Sequence, residues 1–295
     1  WPCGQMRPKP SCTSSDAWVS PRSNRLSTRK PVPMPRDHPQ LPNGQKILPE
    51  GSDRVTVMTH QVDVLNRSMR HHSATDVLHA AVENVPDLAL VSSFGAESVA
   101  LLHLASMVQR DLPVLFIDTE MLFAETLVYQ QELSERLGLR NVSIIRASDP
   151  ARTDPDGTLH QRNPDACCAL RKTVPLQQAL TGFDGWITGR KRFQSGTRAH
   201  LPFFEIETAP GAPARIKVNP LAHWHASDVA DYIDENRLPR HPMVAKGYPS
   251  IGCAPCTSPV KPGEDPRAGR WRDIEKDECG IHFVDGKMIR TGANS

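Results

Sequence analysis

The sequence predicts an α/β fold in which a parallel sheet is flanked by helices, followed by an irregular, cysteine-containing C-terminal segment. Short apolar runs alternate with longer amphipathic segments between about residues 70 and 235, as in successive β-α-β units. This alternation favours a parallel sheet covered on both faces. No run approaches the ~18 apolar residues of a membrane-spanning helix, so we expect no membrane association.

Each predicted strand is a short apolar run that ends in polar or small residues, and each predicted helix carries apolar residues at helical spacing. Gly138 stands where a left-handed residue ends a helix. In chain order the predicted elements are strand 87–92, helix 98–109, strand 113–118, helix 123–137, strand 141–146, helix 169–180, strand 185–188 and helix 227–235. After about residue 240 glycine, proline, cysteine and charged residues dominate, and such a segment is either disordered or functional.

The charge balance argues against a general nucleic-acid-binding protein. The 295 residues include 35 Lys and Arg against 33 Asp and Glu, a formal net charge of +2, whereas nucleic-acid binders carry a strong basic excess. Residues 1–57 are rich in Pro, Ser, Arg and Lys, and such a segment cannot bury enough apolar surface to offset its ordering entropy. We therefore expect a disordered basic tail at 1–57, with Met58 as the translation start and a targeting arm as the alternative.

The predicted domain organisation has two further parts. An α/β domain occupies residues 58–262, and a flexible C-terminal tail occupies residues 263–295. The seven cysteines are unevenly placed and no secretory signal is visible. A disulfide framework is therefore not expected, and clustered cysteines favour metal or redox chemistry.

A turn of small and polar residues follows the first predicted strand. In an open parallel sheet ligands bind beyond the carboxyl ends of the strands, and the free N–H groups at a helix start favour anions. Gly95 is the only glycine in the turn, which excludes a Walker loop and a dinucleotide fingerprint. An ordinary turn with a serine cap is the alternative. The candidate anion-binding residues are Ser92, Ser93, Phe94, Gly95, Ala96, Glu97 and Ser98.

A basic loop at 189–198 follows the fourth predicted strand at the same edge of the sheet. A run of cations usually forms a solvent-exposed surface. Because this loop leaves the sheet at the binding edge, contact with phosphate or sulfate is an equally strong interpretation. Its cations are Arg190, Lys191, Arg192 and Arg198.

Four cysteines are grouped as two close pairs. Cys167 and Cys168 are adjacent, while Cys253 and Cys256 form a CxxC motif. Four thiolates suit tetrahedral zinc or an iron–sulfur cluster. The alternatives are buried cysteines that act as small apolar residues and a thioredoxin-type redox pair.

A further cysteine, Cys279, lies in the segment Glu278–His282 near the C-terminus. A polar tail exposes a thiol, and the nearby basic residues favour the thiolate. A spare surface cysteine is the alternative. The basic residues are Lys276 and His282, with Arg267, Arg270 and Arg272 upstream.

In combination these motifs resemble those of the assimilatory sulfonucleotide reductases, and within them the iron–sulfur adenylyl-sulfate (APS) reductases. The resemblance covers about residues 75–282. It rests on SSFGAES at 92–98, DTEMLFAET at 118–126, CCALRK at 167–172, GRKRFQSGTR at 189–198, the CxxC at 253–256 and ECGIH at 278–282.

The resemblance implies an adenine-nucleotide α-hydrolase-like fold whose SSFG turn binds the sulfonucleotide. Asp118, Thr119 and Leu122 fall where the family contacts adenosine. Arg190 varies within the family. The remaining implied substrate contacts are Lys172, Lys191, Arg192, Arg198, Arg267, Arg270 and His282.

The resemblance also implies the chemistry. Cys167, Cys168, Cys253 and Cys256 would ligate one 4Fe–4S cluster per subunit. The Cys279 thiolate would attack APS, release AMP and form an S-sulfocysteine, from which thioredoxin or another dithiol donor releases sulfite. This reaction belongs to sulfate assimilation and cysteine biosynthesis in the cytoplasm, and a homo-oligomer is compatible with it.

Two rival functions remain. The first is reduction of the 3′-phosphorylated nucleotide PAPS, which family members without the cluster cysteines prefer. The second is a non-catalytic, zinc-binding nucleotide sensor that would not need Cys279. A metal count distinguishes the zinc sensor from the reductase, because the reductase would hold four irons and the sensor one zinc.

Overall fold

The computed structural model describes residues 52–208, 211–272, 283–284 and 287–288. The chain divides into a unit Trp1–Ile47, which lies outside the described residues, and a unit Leu48–Ser295. None of the described helices is long and apolar enough to cross a membrane.

The ordered domain begins earlier than the predicted boundary at residue 58. Helix α1 spans Ser52–Ser68, so the last six positions of the expected tail are helical. Met58 lies inside this helix, and its side chain is buried together with those of Val62 and Leu65. One buried stripe therefore holds α1 on the domain, because helical stability comes mainly from packing an apolar face.

A six-stranded sheet forms the centre of the domain, in the order β3-β2-β1-β4-β6-β5. All neighbouring strands run parallel except β5, which pairs antiparallel with β6. The strands are β1 Leu88–Ser92, β2 Val114–Ile117, β3 Val142–Ile145, β4 Gly185–Ile187, β5 Phe204–Glu207 and β6 Arg215–Val218. The predicted α/β class is confirmed, with one antiparallel edge strand as the difference.

Helices cover both faces of the sheet. The main apolar core packs between the sheet and α1 to α4 and α9, and a smaller core around Trp186 packs against α8. The remaining helices are α2 Ala74–Asn84, α3 Ser98–Val108, α4 Ala124–Leu137, α5 Pro150–Thr153, α6 Leu159–Arg162, α7 Pro164–Cys168, α8 Val174–Ala179 and α9 Ala226–Glu235. Gly138 ends α4 with a φ of 64°, as predicted.

The segment predicted as one helix over 169–180 is interrupted. A π-turn occupies Ala169–Thr173 before α8 begins, and the Val174 N–H bonds to the Ala169 carbonyl five residues back. Pro175 follows in the first turn of α8. Proline has no N–H to continue the α-helical ladder, which accounts for a change of register at this point.

The topology places the candidate loops together. β1 has β2 on one side and β4 on the other, so the loops after β1 and β4 leave the sheet at the topological switch point, where open α/β sheets bind ligands.

The C-terminal segment as far as residue 272 packs on this edge rather than forming a free tail. Cys253 pairs with Leu122 and Thr257 with Arg270 in single antiparallel bridges, and Trp271 is buried. The predicted boundary at 262 therefore falls inside ordered structure. Two short strands, β7 Phe283–Val284 and β8 Lys287–Met288, pair antiparallel further on.

Candidate active site

The turn after β1 is anchored by an apolar side chain in a strained backbone conformation. Phe94 has a φ of 48°, and its fully buried ring meets Phe116 edge-on with centroids 5.2 Å apart. The Phe94 N–H donates to the Ser92 hydroxyl at 3.1 Å. A bulky residue at positive φ costs about 1–3 kcal/mol, and such strain clusters at functional sites. Phe94 can therefore offer a ligand only its backbone.

A buried ion pair joins this turn to the basic loop. The Lys191 ammonium donates to Glu97 at 2.7 Å and to the Gly189 carbonyl at 3.2 Å. Only 2% of Lys191 is exposed, and burial lowers the pKa of its ammonium while Glu97 opposes that shift. Lys191 therefore links the two loops, and its charge is neutralised inside the protein by Glu97.

Gln194 organises the rest of the basic loop. Its side-chain carbonyl accepts from the Lys191 N–H at 3.1 Å and from the Arg198 guanidinium. The Arg192 Nε donates to the Leu201 carbonyl at 2.9 Å. The charges of Arg198 and Arg267 both contribute to lowering the pKa of Lys191. The basic loop and the Arg267 segment therefore contribute to one electropositive region.

We expect Glu97→Ala to destabilise the protein far more than Glu125→Ala. Removing Glu97 leaves a buried lysine uncompensated, which costs roughly 2–4 kcal/mol. Glu125 bonds Lys246 at 2.6 Å in an exposed pair, where solvent screening makes the loss small. Chemical denaturation of both variants measures the difference. Equal losses in the free energy of unfolding would contradict the role of Lys191 as a buried link between the two loops.

Arg190 is held by the edge hairpin. Its guanidinium donates to Asn219 Oδ1 at 3.0 and 3.2 Å and also contacts Glu205. Lys217 continues the network with a 2.9 Å bond to Glu207. Sequence reasoning missed Glu205 and Asn219 because it assigned no strand to the hairpin.

The loop after β2 joins the sheet edge to the cysteines. Asp118, expected near adenosine, accepts from Arg146 at 2.8 Å and from the Glu120 N–H at 2.9 Å. The Thr119 hydroxyl lies 3.2 Å from the sulfur of Cys253. Leu122 forms its backbone bridge with the same cysteine. The side chains of Asp118 and Thr119 thus have protein partners of their own.

The two cysteine pairs converge on one recess. None of the four cysteines is part of a disulfide bond, and together they line one small recess. Burial, then the proximity of Cys168, Cys253 and Cys256, raises the pKa of Cys167 to about 11. The cavity is also lined by Thr119, Met121, His160, Pro164, Arg171 and Lys172.

Cations offset the negative charge that thiolates would bring. Burial raises the pKa of Cys256, and the charges of Lys172 and Arg270 oppose this rise. The charge of Arg171 opposes the corresponding rise in the pKa of Cys167. Arg270 lies 4.5 Å from the Trp271 ring centroid and packs so closely on Gly252 that a Cβ there would lie 2.2 Å from its Nη2. A larger residue at position 252 would therefore require the Arg270 guanidinium to move.

The donor set of the recess fits a metal group held by cysteines. Four cysteines around a single recess suit tetrahedral zinc or a cluster bound by Cys₄. Arg171 also lines the recess. Within the part of the chain that the structure describes, its buried Nε has no hydrogen-bond partner.

Some predicted site residues are not described. Cys279 and His282 lie outside the described residues. Arg171 and Asp154 were missed, although Arg171 directly precedes the predicted Lys172 in the CCALRK motif. Only the fold brings Asp154 to the same site.

Fold and site together define an α/β protein whose candidate anion-binding loops adjoin a recess lined by four cysteines. The family model of the phosphoadenosine phosphosulfate reductase domain matches residues 87–259. The chain belongs to this family, and the resemblance seen in the sequence is confirmed.

Curated relatives refine the family. A protein of Mesorhizobium japonicum is 46% identical over 265 residues, covering 89% of this chain and 98% of its own. A protein of a Chelativorans species is 45% identical over 218 residues, covering 72% and 87% respectively. Both are named adenosine 5′-phosphosulfate reductase.

A solved structure supports the fold. The crystal structure of phosphoadenylyl-sulfate reductase from Candida auris, in a phosphate complex, aligns with a TM-score of 0.59 at 29% identity. The alignment covers 68% of this chain and 97% of that one.

Proposed function

We propose that this enzyme reduces adenylyl sulfate to sulfite and AMP in assimilatory sulfate reduction. The observation that carries the proposal is the meeting of two anion-binding loops with four cysteines at one sheet edge. Relatives named for this activity align over as much as 98% of their own length. The substrate is a dianionic small molecule, which suits the cations that the loops gather.

The nucleotide binds at the switch point between β1 and β4. Backbone N–H groups after β1 and the start of α3 hold the anionic portion, as helix N-termini do. Arg192, Arg198 and Arg267 neutralise the phosphosulfate, and electrostatics of this kind stabilise charge that develops on a leaving group. Lys191 contributes indirectly, since its charge is paired with Glu97.

The first chemical step is attack of the Cys279 thiolate on the sulfate sulfur. An S–S bond forms, the S–O bond to the phosphate breaks, and AMP leaves with the electron pair. The enzyme then carries an S-sulfocysteine, a covalent intermediate that divides one difficult reaction into two.

The second step needs a dithiol donor, and we propose thioredoxin. One donor thiolate attacks the Cys279 sulfur, and sulfite departs with the bonding pair. The second donor thiol then displaces Cys279 from the mixed disulfide, as in thiol–disulfide exchange. The donor supplies two electrons, so sulfur passes from the sulfate to the sulfite level. A reducing cytoplasm is the compartment that keeps such thiols available.

Cys167, Cys168, Cys253 and Cys256 would hold a 4Fe–4S cluster in the recess. When bound, it would cross-link the two cysteine pairs and contribute to the electrostatics of the site. Lys172 and Arg270 lie on the Cys256 side, where their charges favour thiolate ligands.

The substrate test compares kcat/KM for APS and PAPS with thioredoxin as donor and sulfite as product. We expect APS to be favoured by roughly tenfold or more, since the four cluster cysteines are present and family members without them prefer PAPS. Equal or better turnover of PAPS would assign the enzyme to the phosphorylated nucleotide.

A further inference from the structure

A fully buried ion pair stands behind the cysteine recess. The Arg171 Nη2 donates to Asp154 Oδ2 at 3.1 Å, and the side chain of Asp154 has no exposed surface. Asp154 Oδ1 also accepts from the Leu159 N–H at 2.8 Å. A buried carboxylate with this bonding holds the guanidinium in one orientation, because breaking such a pair strands a charge.

Arg171 connects the two cysteine pairs. It lies three residues after Cys168, and its Nη1 donates to the Thr119 carbonyl at 3.1 Å. Thr119 in turn places its hydroxyl 3.2 Å from the Cys253 sulfur. A continuous set of contacts therefore runs from Asp154 to both halves of the recess.

Among the described residues, one nitrogen of Arg171 has no hydrogen-bond acceptor. This nitrogen is the buried Nε, and the side chain that carries it lines the recess. An unsatisfied buried donor is costly, and native structures rarely keep one without a reason. An anionic sulfur in the recess would provide the missing acceptor.

We propose that Asp154 and Arg171 are positioning residues for the cluster, with Asp154 orienting Arg171 and Arg171 supporting the cluster sulfurs through its unpaired Nε. This inference rests on the cofactor assigned in the proposed function. It deepens that assignment, because it gives a role to an arginine of the CCALRK motif for which the sequence predicted none.

The test compares Arg171→Met and Arg171→Lys with Arg162→Met. Arg162 is a matched control, since it reaches the same Asp154 at 3.7 Å but is largely exposed and pairs with Asp156. Anaerobically purified proteins are assayed for iron per chain and for the rate of iron release to a chelator. We expect about 10–100-fold faster release from Arg171→Met, a smaller effect in Arg171→Lys, and wild-type behaviour in Arg162→Met.

Two further measurements separate cluster support from general folding. The double variant Asp154→Leu/Arg171→Met replaces the pair by apolar groups, which buried sites often tolerate. We expect its metal-free form to unfold near the temperature at which the metal-free wild-type protein unfolds. When loaded with iron, the double variant should nevertheless release the iron quickly. In loaded Arg171→Lys the Fe–S stretching bands in resonance Raman spectra should shift, and in Arg162→Met they should not.

Wild-type iron retention in Arg171→Met or in the double variant would overturn the inference. Wild-type protein that forms sulfite but contains no iron would also overturn it, while leaving the proposed reaction intact.

Discussion

Cys279→Ser should abolish sulfite formation while nucleotide binding persists. A serine hydroxyl is not ionised at neutral pH and cannot replace the thiolate as nucleophile, so we expect kcat to fall by at least about 10³-fold. The affinity for the nucleotide should stay within about twofold, because binding relies on the loops after β1 and β4 rather than on this sulfur. Sulfite release and equilibrium binding of AMP measure the two effects separately.

Cys12→Ser is the matched control for this variant. Cys12 belongs to the N-terminal segment that the sequence predicts to be a disordered tail, and we expect its loss to leave turnover unchanged. A Cys279→Ser enzyme that keeps a substantial part of its activity would show that another group is the nucleophile.

Cys253→Ser should remove both the iron and the activity. The Cys253 thiol is buried and lies at the junction of the recess with the loop after β2. A serine oxygen is a poor replacement for a thiolate ligand at iron–sulfur centres. We expect the visible absorption to disappear, the iron per chain to fall several-fold, and the thermal midpoint to drop, since metal binding is coupled to folding.

Cys279→Ser provides the contrast for that experiment, since it should lose activity but keep its iron. A Cys253→Ser protein that retains both iron and turnover would contradict the four-cysteine assignment. One zinc per wild-type chain would instead support the nucleotide-sensor alternative.

The sequence predicted the strands β1 to β4 because their segments are mainly apolar. The edge hairpin was missed for the opposite reason. β5 and β6 contain Glu205, Glu207, Arg215 and Lys217, which suggest exposure. In the structure Lys217 and Glu207 are almost completely buried and pair with each other, and Trp186 also donates to Glu207 at 2.8 Å. Such pairing depends on strand register, which alternation of apolar residues does not reveal.

Helix α2 shows a signal that was available but unused. Ser73 and Asp76 form a reciprocal capping box at its start, a spacing that can be recognised in a sequence. α1 was missed because it was assigned to the tail, where proline and basic residues dominate the composition.

The site residues divide in the same way. Sequence motifs located the four cysteines, the turn after β1 and the basic loop at 189–198, and the fold brings them to one edge. Motifs did not reveal which cations are neutralised. Lys191 is paired with Glu97 and Arg190 with Glu205, and both partners become visible only when distant segments pack together.

The central claim is that the Cys279 sulfur takes the sulfonate group from the nucleotide. It is tested most directly by mixing the enzyme with APS without any reductant and recording the intact mass and peptide masses. We predict an adduct of about 80 Da on Cys279, lost on addition of reduced thioredoxin with release of sulfite. Stoichiometric AMP release with no added mass on Cys279 would contradict the account.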